Sequence, residues 1–366
     1  MAYTDIDKPT DYFETTTYAG GTTSITSLDF SPDWVWAKKR TGAENHGIFD
    51  SVRGATKTIN SNTTSAETTR GGSLTSFDSN GWSMGGADGI ISASGNDYVA
   101  WAWRGSDSSA VSNTDGSITS TVSANTTSGF SIVTYSGNST AGSTFGHGLG
   151  VKPSMIITKA RTRASMWNVY HKGLTNYTKG IYLNATDAEF DGGAFADGEP
   201  NANTFTLSNG THVNGSGETY VAYCFAEKQG YSKFGSYTGN GSTDGTFVYT
   251  GFKPAFVIIK KTDGADNWTI NDNKRVGYNV DNNELFANLS NAEDTNDVLD
   301  LLSNGFKLRH TAGRHNTSGG TYIYMCFAES PFVTSSGIPT CARWFVLIQI
   351  VIKKLLEEDQ MLILAL

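Results

Sequence analysis

The chain has 366 residues, a formal net charge of −8, 41 glycines and only 17% charged side chains. An acidic chain with no basic stripe is a poor match for nucleic acid or for an anionic membrane surface. Gly, Ser, Thr and Asn between short apolar runs describe strands joined by turns rather than helices, and the length allows two or three domains.

Residues 1–11 form a leader without a basic region followed by an apolar run, so it does not read as a signal peptide. The first repeat covers 12–110. It opens on Tyr12-Phe13 with a Gly20 turn, continues in the proline strand Pro32-Asp33-Trp34-Val35-Trp36-Ala37-Lys38, and ends in Tyr98-Val99-Ala100-Trp101-Ala102-Trp103. β-Branched and aromatic residues bounded by turn residues mark both runs as buried strands. Between them, His46-Gly47-Ile48-Phe49-Asp50 starts a third strand, and Asn80-Gly81-Trp82 marks a hairpin-type turn into a strand, as Asn203-Thr204-Phe205 and Asn304-Gly305-Phe306 do in the later repeats.

Residues 111–128 are rich in Ser and Thr and read as a linker or an edge strand. A second repeat covers 129–229 and a third covers 230–335, joined almost directly through Lys228-Gln229-Gly230. From Pro32 to Tyr98, Pro153 to Tyr220 and Pro254 to Tyr322 the offsets are 66, 67 and 68. The third strand begins 8 residues after Lys38, Lys159 and Lys260 alike. Offsets held this closely define an internal repeat. The fold expected is all-β: three tandem antiparallel β-sandwich repeats of jelly-roll or lectin-like type, each near the usual domain size and able to bury its own core. Repeats 2 and 3 are expected to pack as a rigid pair. The only helix expected is a turn or two within Glu293–Leu302.

Residues 336–366 form a C-terminal tail. From Trp344 Gly, Ser and Thr vanish, and Lys353, Lys354 and the acidic residues 357–359 interrupt the apolar run. It is too broken to span a membrane. It reads either as a helix that buries its apolar side on a partner subunit or, preferably, as an out-of-frame extension.

Cys224 and Cys326 occupy one repeat position that Ala102 fills in the first copy, which marks them as small core fillers rather than disulfide partners. No C-x-x-C or paired-His spacing suggests a metal, and no motif suggests a cofactor. The frequent N-x-[ST] triplets follow from composition, with no secretory signal to make them glycosylation sites.

The run Ile48 to Lys57, the segments Ser76 to Trp82 and Gly95 to Trp103, the opening Met1 to Asp7 and the closing Ser330 to Thr340 together resemble a family of repeat proteins from tailed phages, many of them marine. Its members are usually labelled tail fibre or virion structural proteins. The resemblance covers roughly residues 1–343 and implies a virion location and an appendage that touches the host surface. It also implies partners among other virion proteins and, by analogy with phage fibres, a homotrimer; it carries over no catalytic residue. A family member would stop shortly after Ile338-Pro339-Thr340, and this chain departs at Cys341 and Trp344.

Candidate binding residues follow from the repeat. Asp50 and Arg53 stand three apart, as do Asp272 and Arg275, whereas the second copy has His171 and Leu174. They form either a polar site for a sugar hydroxyl or carboxylate at the sheet mouth, or, preferably, a strand-end aspartate that holds its turn while the arginine covers it. Trp167 and Trp268 either stack on sugar rings or, at alternating strand spacing, sit in the core, the reading preferred here. Arg161 and Arg163, in a loop with Ser165, either meet an acidic glycan or, preferably, lie in a solvated loop. No alternating pair of carboxylates, G-x-S-x-G elbow, H-E-x-x-H or P-loop appears before the tail. The expected function is therefore a non-catalytic appendage that binds a host-surface glycan or protein. A virion decoration protein without a receptor is the alternative, and a glycan depolymerase comes third.

Overall fold

A computed structural model describes residues 3–106, 108–275, 283–296 and 298–340. The protein is all-β, of the β-sandwich class, and its strand pairs are antiparallel. Each repeat contributes an inner sheet with one strand order: opening strand, tyrosine strand, proline strand, third strand. In repeat 1 these are Phe13–Ala19, Asp97–Trp103, Trp34–Lys39 and Gly47–Asp50. In repeat 2 they are Phe130–Ser136, Thr219–Phe225, Met155–Ala160 and Asn168–His171. In repeat 3 they are Ser232–Thr238, Thr321–Pro331, Phe252–Lys261 and Thr269–Asp272. In repeat 3 the strand begins before its proline, and Pro254 is accommodated at a break in register against the tyrosine strand.

A small outer sheet covers one face of each inner sheet. In repeat 1 it contains Ser24–Ile25, Gly81–Met84 and Leu74–Asp78. The hairpins expected at Asn80-Gly81 and Asn304-Gly305 are present, with Asp78 opposite Gly81 and Leu302 opposite Gly305. Glycine is required there because a Cβ on Gly81 would lie 1.8 Å from the Ile25 carbonyl oxygen, and on Gly305 2.1 Å from that of Val248. In repeat 2 Thr204 takes that place, and its strand Thr204–Leu207 pairs with Ser143–Gly146 instead of closing a hairpin.

One expectation is corrected, and for residues 111–128 the edge-strand alternative is the one that holds. Among the described residues of Glu293–Leu302 the expected helical turns do not form; Leu299–Leu302 is a strand whose Leu299 and Leu301 point inward. Alternation wins because these leucines complete a sheet face. Residues 111–128 hold the strands Val111–Asn113 and Ser120–Asn125, which extend the inner sheet of repeat 2 from its opening strand. The tail beyond residue 340 lies outside the described residues.

The two faces of each inner sheet enter different cores. In repeat 1 Val35, Ala37, Ala100 and Ala102 pack under the outer sheet, and repeats 2 and 3 have corresponding local cores. Trp34, Trp36, Trp101 and Trp103 face the other way, into a core that also contains Met155, Ile157, Tyr223 and Phe225 from repeat 2 and Phe256, Ile258, Met325 and Phe327 from repeat 3. Trp103, Phe225 and Phe327 stand at equivalent positions and meet one another, with centroid separations of 6.5, 5.5 and 6.0 Å. The three repeats therefore close around a pseudo-three-fold axis. Short joining of repeats 2 and 3 does not make them a privileged pair, because every repeat reaches both neighbours.

Candidate functional site

All but Arg163 of the candidate binding residues singled out in the sequence gather along three seams between repeats. At the start of each third strand a ring nitrogen bonds to a carbonyl of the adjacent repeat. Trp167 Nε1 donates to Asn60 O at 2.9 Å, and Trp268 Nε1 donates to Tyr182 O at 2.8 Å. His46 holds the same position in repeat 1. Its Nδ1 accepts from Trp36 Nε1 at 2.8 Å, which leaves Nε2–H to donate to Phe286 O at 2.9 Å. Burial pushes the His46 pKa down to about 3, so the ring is neutral, as this bonding requires. Both tryptophans are at most 1% exposed, so neither is a sugar-stacking surface.

The lysine closing each proline strand crosses the same seam. Lys38, Lys159 and Lys260 are fully buried. Their ammonium groups donate to Ser290 O, Thr64 O and Thr186 O of the neighbouring repeats at 3.2, 3.1 and 3.0 Å. Each also bonds to a carbonyl of its own strand end. Burial pushes all three pKa values down to about 8.

Below these bonds lie the ion pairs. Arg53 binds Asp50 through Nε and reaches Glu67 at 3.1 Å, while Arg161 from repeat 2 clamps Glu67 at 2.9 and 3.0 Å. Tyr223, also from repeat 2, donates to Asp50 Oδ2 at 2.7 Å. The seam between repeats 3 and 1 repeats this arrangement. Arg275 binds Asp272 at 2.7 Å and Glu293 at 3.2 Å, Arg40 clamps Glu293 at 3.0 and 2.9 Å, and Trp101 Nε1 donates to Asp272 at 2.9 Å. Burial opposes ionisation of Glu67 and Glu293, but the arginine hydrogen bonds and charges outweigh it and hold both carboxyls below their usual range. At the third seam His171 Nε2 faces Tyr324 O at 3.1 Å and burial lowers its pKa to about 4.

Asp50, Arg53, Asp272, Arg275 and His171 are buried, which excludes the sheet-mouth alternative, and Arg161, expected to meet a glycan or lie in a solvated loop, is instead half-buried against Glu67 as inter-repeat cement. The preferred local reading of Asp50 and Arg53 holds: Arg53 N donates to Asp50 Oδ1 at 2.7 Å. Their cross-seam partners Glu67, Glu293 and Arg40, and the seam roles of His46 and the three lysines, escaped the sequence reading. The fixed eight-residue offset from each lysine is the signal that links His46 to Trp167 and Trp268. Arg163 stands apart, half-buried beside Lys159 and His212. His147 is a buried turn residue, its Nδ1 accepting from Leu149 N at 3.2 Å.

A cleft of about 390 Å³ opens at the proline-strand end of the seam between repeats 3 and 1. Glu14 and Thr15 of the first opening strand face Lys253, Asn273, Lys274 and Glu329 across it. Lys253 pairs with Glu329 at 2.7 Å, and Asn273 Nδ2 donates to Glu329 at 2.7 Å. Glu14 lies 4.0 Å from Lys274, and burial raises its pKa. Two buried polar atoms lack partners here: Asn273 Oδ1 and the hydroxyl of Thr15, a residue only 2% exposed.

Residues 8–331, which span all three repeats and their seams, match the model of a family described as a domain of unknown function, DUF7483. The chain belongs to that family. No curated protein matches it. Cys224 and Cys326 are buried free thiols, consistent with core fillers. Among the described residues, no group of three or more His, Cys, Asp or Glu is arranged to hold a metal, and no helix is long and apolar enough to cross a membrane.

Proposed function

We propose that this DUF7483 chain is a non-catalytic, tail-fibre-like virion appendage module that binds a hydroxyl-rich host-surface ligand, a glycan, in the cleft between repeats 3 and 1. The observation that carries the reading is the pair of unpartnered polar atoms, Thr15 Oγ1 and Asn273 Oδ1, in a recess flanked by Glu14 and Lys274. A buried polar group without a partner costs about 1–3 kcal/mol, and sugar hydroxyls that displaced the side chains covering them would satisfy both atoms. The phage assignment draws on the family resemblance of the sequence. A homotrimer by analogy with fibres remains part of the proposal; sedimentation as a monomer at micromolar concentration would remove it.

Thr15→Val separates fold from binding. It deletes an unpaired hydroxyl at nearly constant volume, so stability should hold or rise while binding to glycan arrays and host cells falls. Unchanged binding would exclude the cleft. A second reading, a virion decoration protein without a receptor, is favoured by the pseudo-three-fold body, which suits a three-fold-symmetric seat. Folded wild-type protein that binds no candidate host cell but binds purified virions would select it. Release of sugar from bound glycan would select the depolymerase instead.

A further inference from the structure

The three seams share one backbone scheme, but one of them lacks its arginines. In the first, Glu67 N donates to Arg161 O at 2.8 Å; in the next, Glu293 N donates to Arg40 O at 2.9 Å. The third keeps the same bond, Glu189 N to Thr262 O at 2.9 Å. At the side chains the match ends. Where Arg161 and Arg40 clamp their glutamates, repeat 3 has Thr262. Where Arg53 and Arg275 approach from the same repeat as the glutamate, repeat 2 has Leu174, which is buried in the central core. Glu189 is left with hydrogen bonds from the Thr175 hydroxyl and the Thr175 backbone N–H, the latter at 3.1 Å. Among the described residues no cation lies within 4 Å of its carboxylate.

The missing side chains leave space. A cavity of about 250 Å³ occupies this seam, lined by Glu189, Thr175, Thr262, Ser236, Tyr237 and Thr238. A carboxylate accepts from about four directions, and Thr175 uses two. Bidentate guanidinium pairing is the strongest use of the remainder, and the protein displays that pairing at both equivalent seams. We propose that the seam between repeats 2 and 3 is a binding site for an alkylguanidinium group supplied from outside the repeat body, held by Glu189 in the place that Arg161 and Arg40 fill elsewhere. The group is either a free alkylguanidine or an arginine side chain of a partner protein. This site is separate from the cleft at Thr15.

The test uses the full chain and two probes, agmatine and the peptide Gly-Arg-Gly amide, followed by NMR chemical-shift titration at constant ionic strength. Saturable shifts centred on Glu189 and Thr175 are expected, with tighter binding of the peptide marking a partner-borne arginine and equal or weaker binding marking a free cation. Glu189→Gln should weaken agmatine roughly ten- to hundredfold, the loss expected for charge-assisted hydrogen bonds. Thr262→Arg recreates the Arg161 arrangement, so it should abolish agmatine binding and raise Tm. Shifts no different from those caused by sodium, or agmatine binding unchanged in Thr262→Arg, would overturn the proposal. Because Thr262→Arg is expected to stabilise the fold, a failure of Glu189→Gln to fold leaves the test intact.

Discussion

Arg53→Leu tests whether the ion-pair seams are cement or surface. Both the Arg53 and Asp50 side chains are 0% exposed. The substitution removes the bonds from Arg53 to Asp50, to Glu67 and to Ile48 O. Asp50 would then remain buried with only the Tyr223 hydroxyl and one backbone N–H as donors. Removing one partner of a buried pair costs about 3–5 kcal/mol, because the other charge stays desolvated. If the shared centre makes the body unfold as one unit, ~330 residues at about 2.1 cal/mol/K each give an unfolding entropy near 0.7 kcal/mol/K, so Tm should fall by roughly 4–7 °C. If repeat 1 melted alone, ~100 residues would give near 0.2 kcal/mol/K, and its own transition would drop by roughly 15–25 °C and split the profile. Calorimetry distinguishes the two. The double variant Asp50→His/Arg53→Leu copies the His171 and Leu174 arrangement and should recover roughly half of the loss, since no carboxylate is stranded. A Tm for Arg53→Leu within 1–2 °C of wild type, about what surface substitutions give, would refute the seam argument.

The three buried lysines make a pH prediction. Their folded pKa values near 8 lie below the ordinary lysine value, so between pH 8 and 10 the unfolded chain binds more protons and stability should rise with pH by about 1–2 kcal/mol per lysine. Above pH 10 the buried Tyr135, Tyr223 and Tyr237, whose pKa values burial raises, hold their protons while the unfolded chain loses them, so stability should fall again; urea midpoints across pH 7–11 check both limbs. Tyr98, Tyr220 and Tyr322 each donate to a backbone carbonyl (Gly89, Thr211 and Gly313) and accept from a backbone N–H (Ala93, Gly215 and Thr317). Each Tyr→Phe variant should therefore lose about 1–3 kcal/mol in chemical denaturation. In a Cys341→Ser chain no thiol should react with Ellman's reagent before unfolding, because burial raises both remaining thiol pKa values. Residues 129–229 expressed alone should bind ANS and lack a cooperative melt, since Tyr223, Phe225 and Trp167 would lose their cover; a sharp melt would show that the repeats are self-sufficient.

Much of the architecture is legible along the chain, because one strand pair recurs at a nearly fixed offset. What sequence reading loses is the second face. Within Tyr98–Trp103 every residue is 0% exposed, as in the parallel sheets whose strands are covered on both sides. A lone two-layer sandwich covers one face, so such a continuous apolar run already implies a further partner for the other. The ionic site divides the same way. Asp50 and Arg53 are three apart, and their contact follows from local geometry. Glu67 and Arg161 are 94 residues apart in different repeats, and only the closure of the ring brings them together.

That closure also explains which residue size sits on which face. Along the tyrosine strands the axial positions carry Trp101 and Trp103, Tyr223 and Phe225, Met325 and Phe327, whereas the outward positions carry Ala100 and Ala102, Ala222 and Cys224, Tyr324 and Cys326. Three sheets that each turn one face toward a shared axis leave a broad space between them, and only large side chains fill it to interior density. The outer sheets lie close on the opposite face, where small residues dominate. The polar seams then fix how each sheet is rotated about the axis, since aromatic packing alone tolerates sliding whereas an indole N–H aimed at one carbonyl does not. A body held in this way can lose the ions of one seam and keep its shape, because Trp268, Lys260 and the Glu189 backbone still set the register there. The seam without arginines thus leaves Glu189 free to take a guanidinium, while the arginines of the other two seams are committed to the fold.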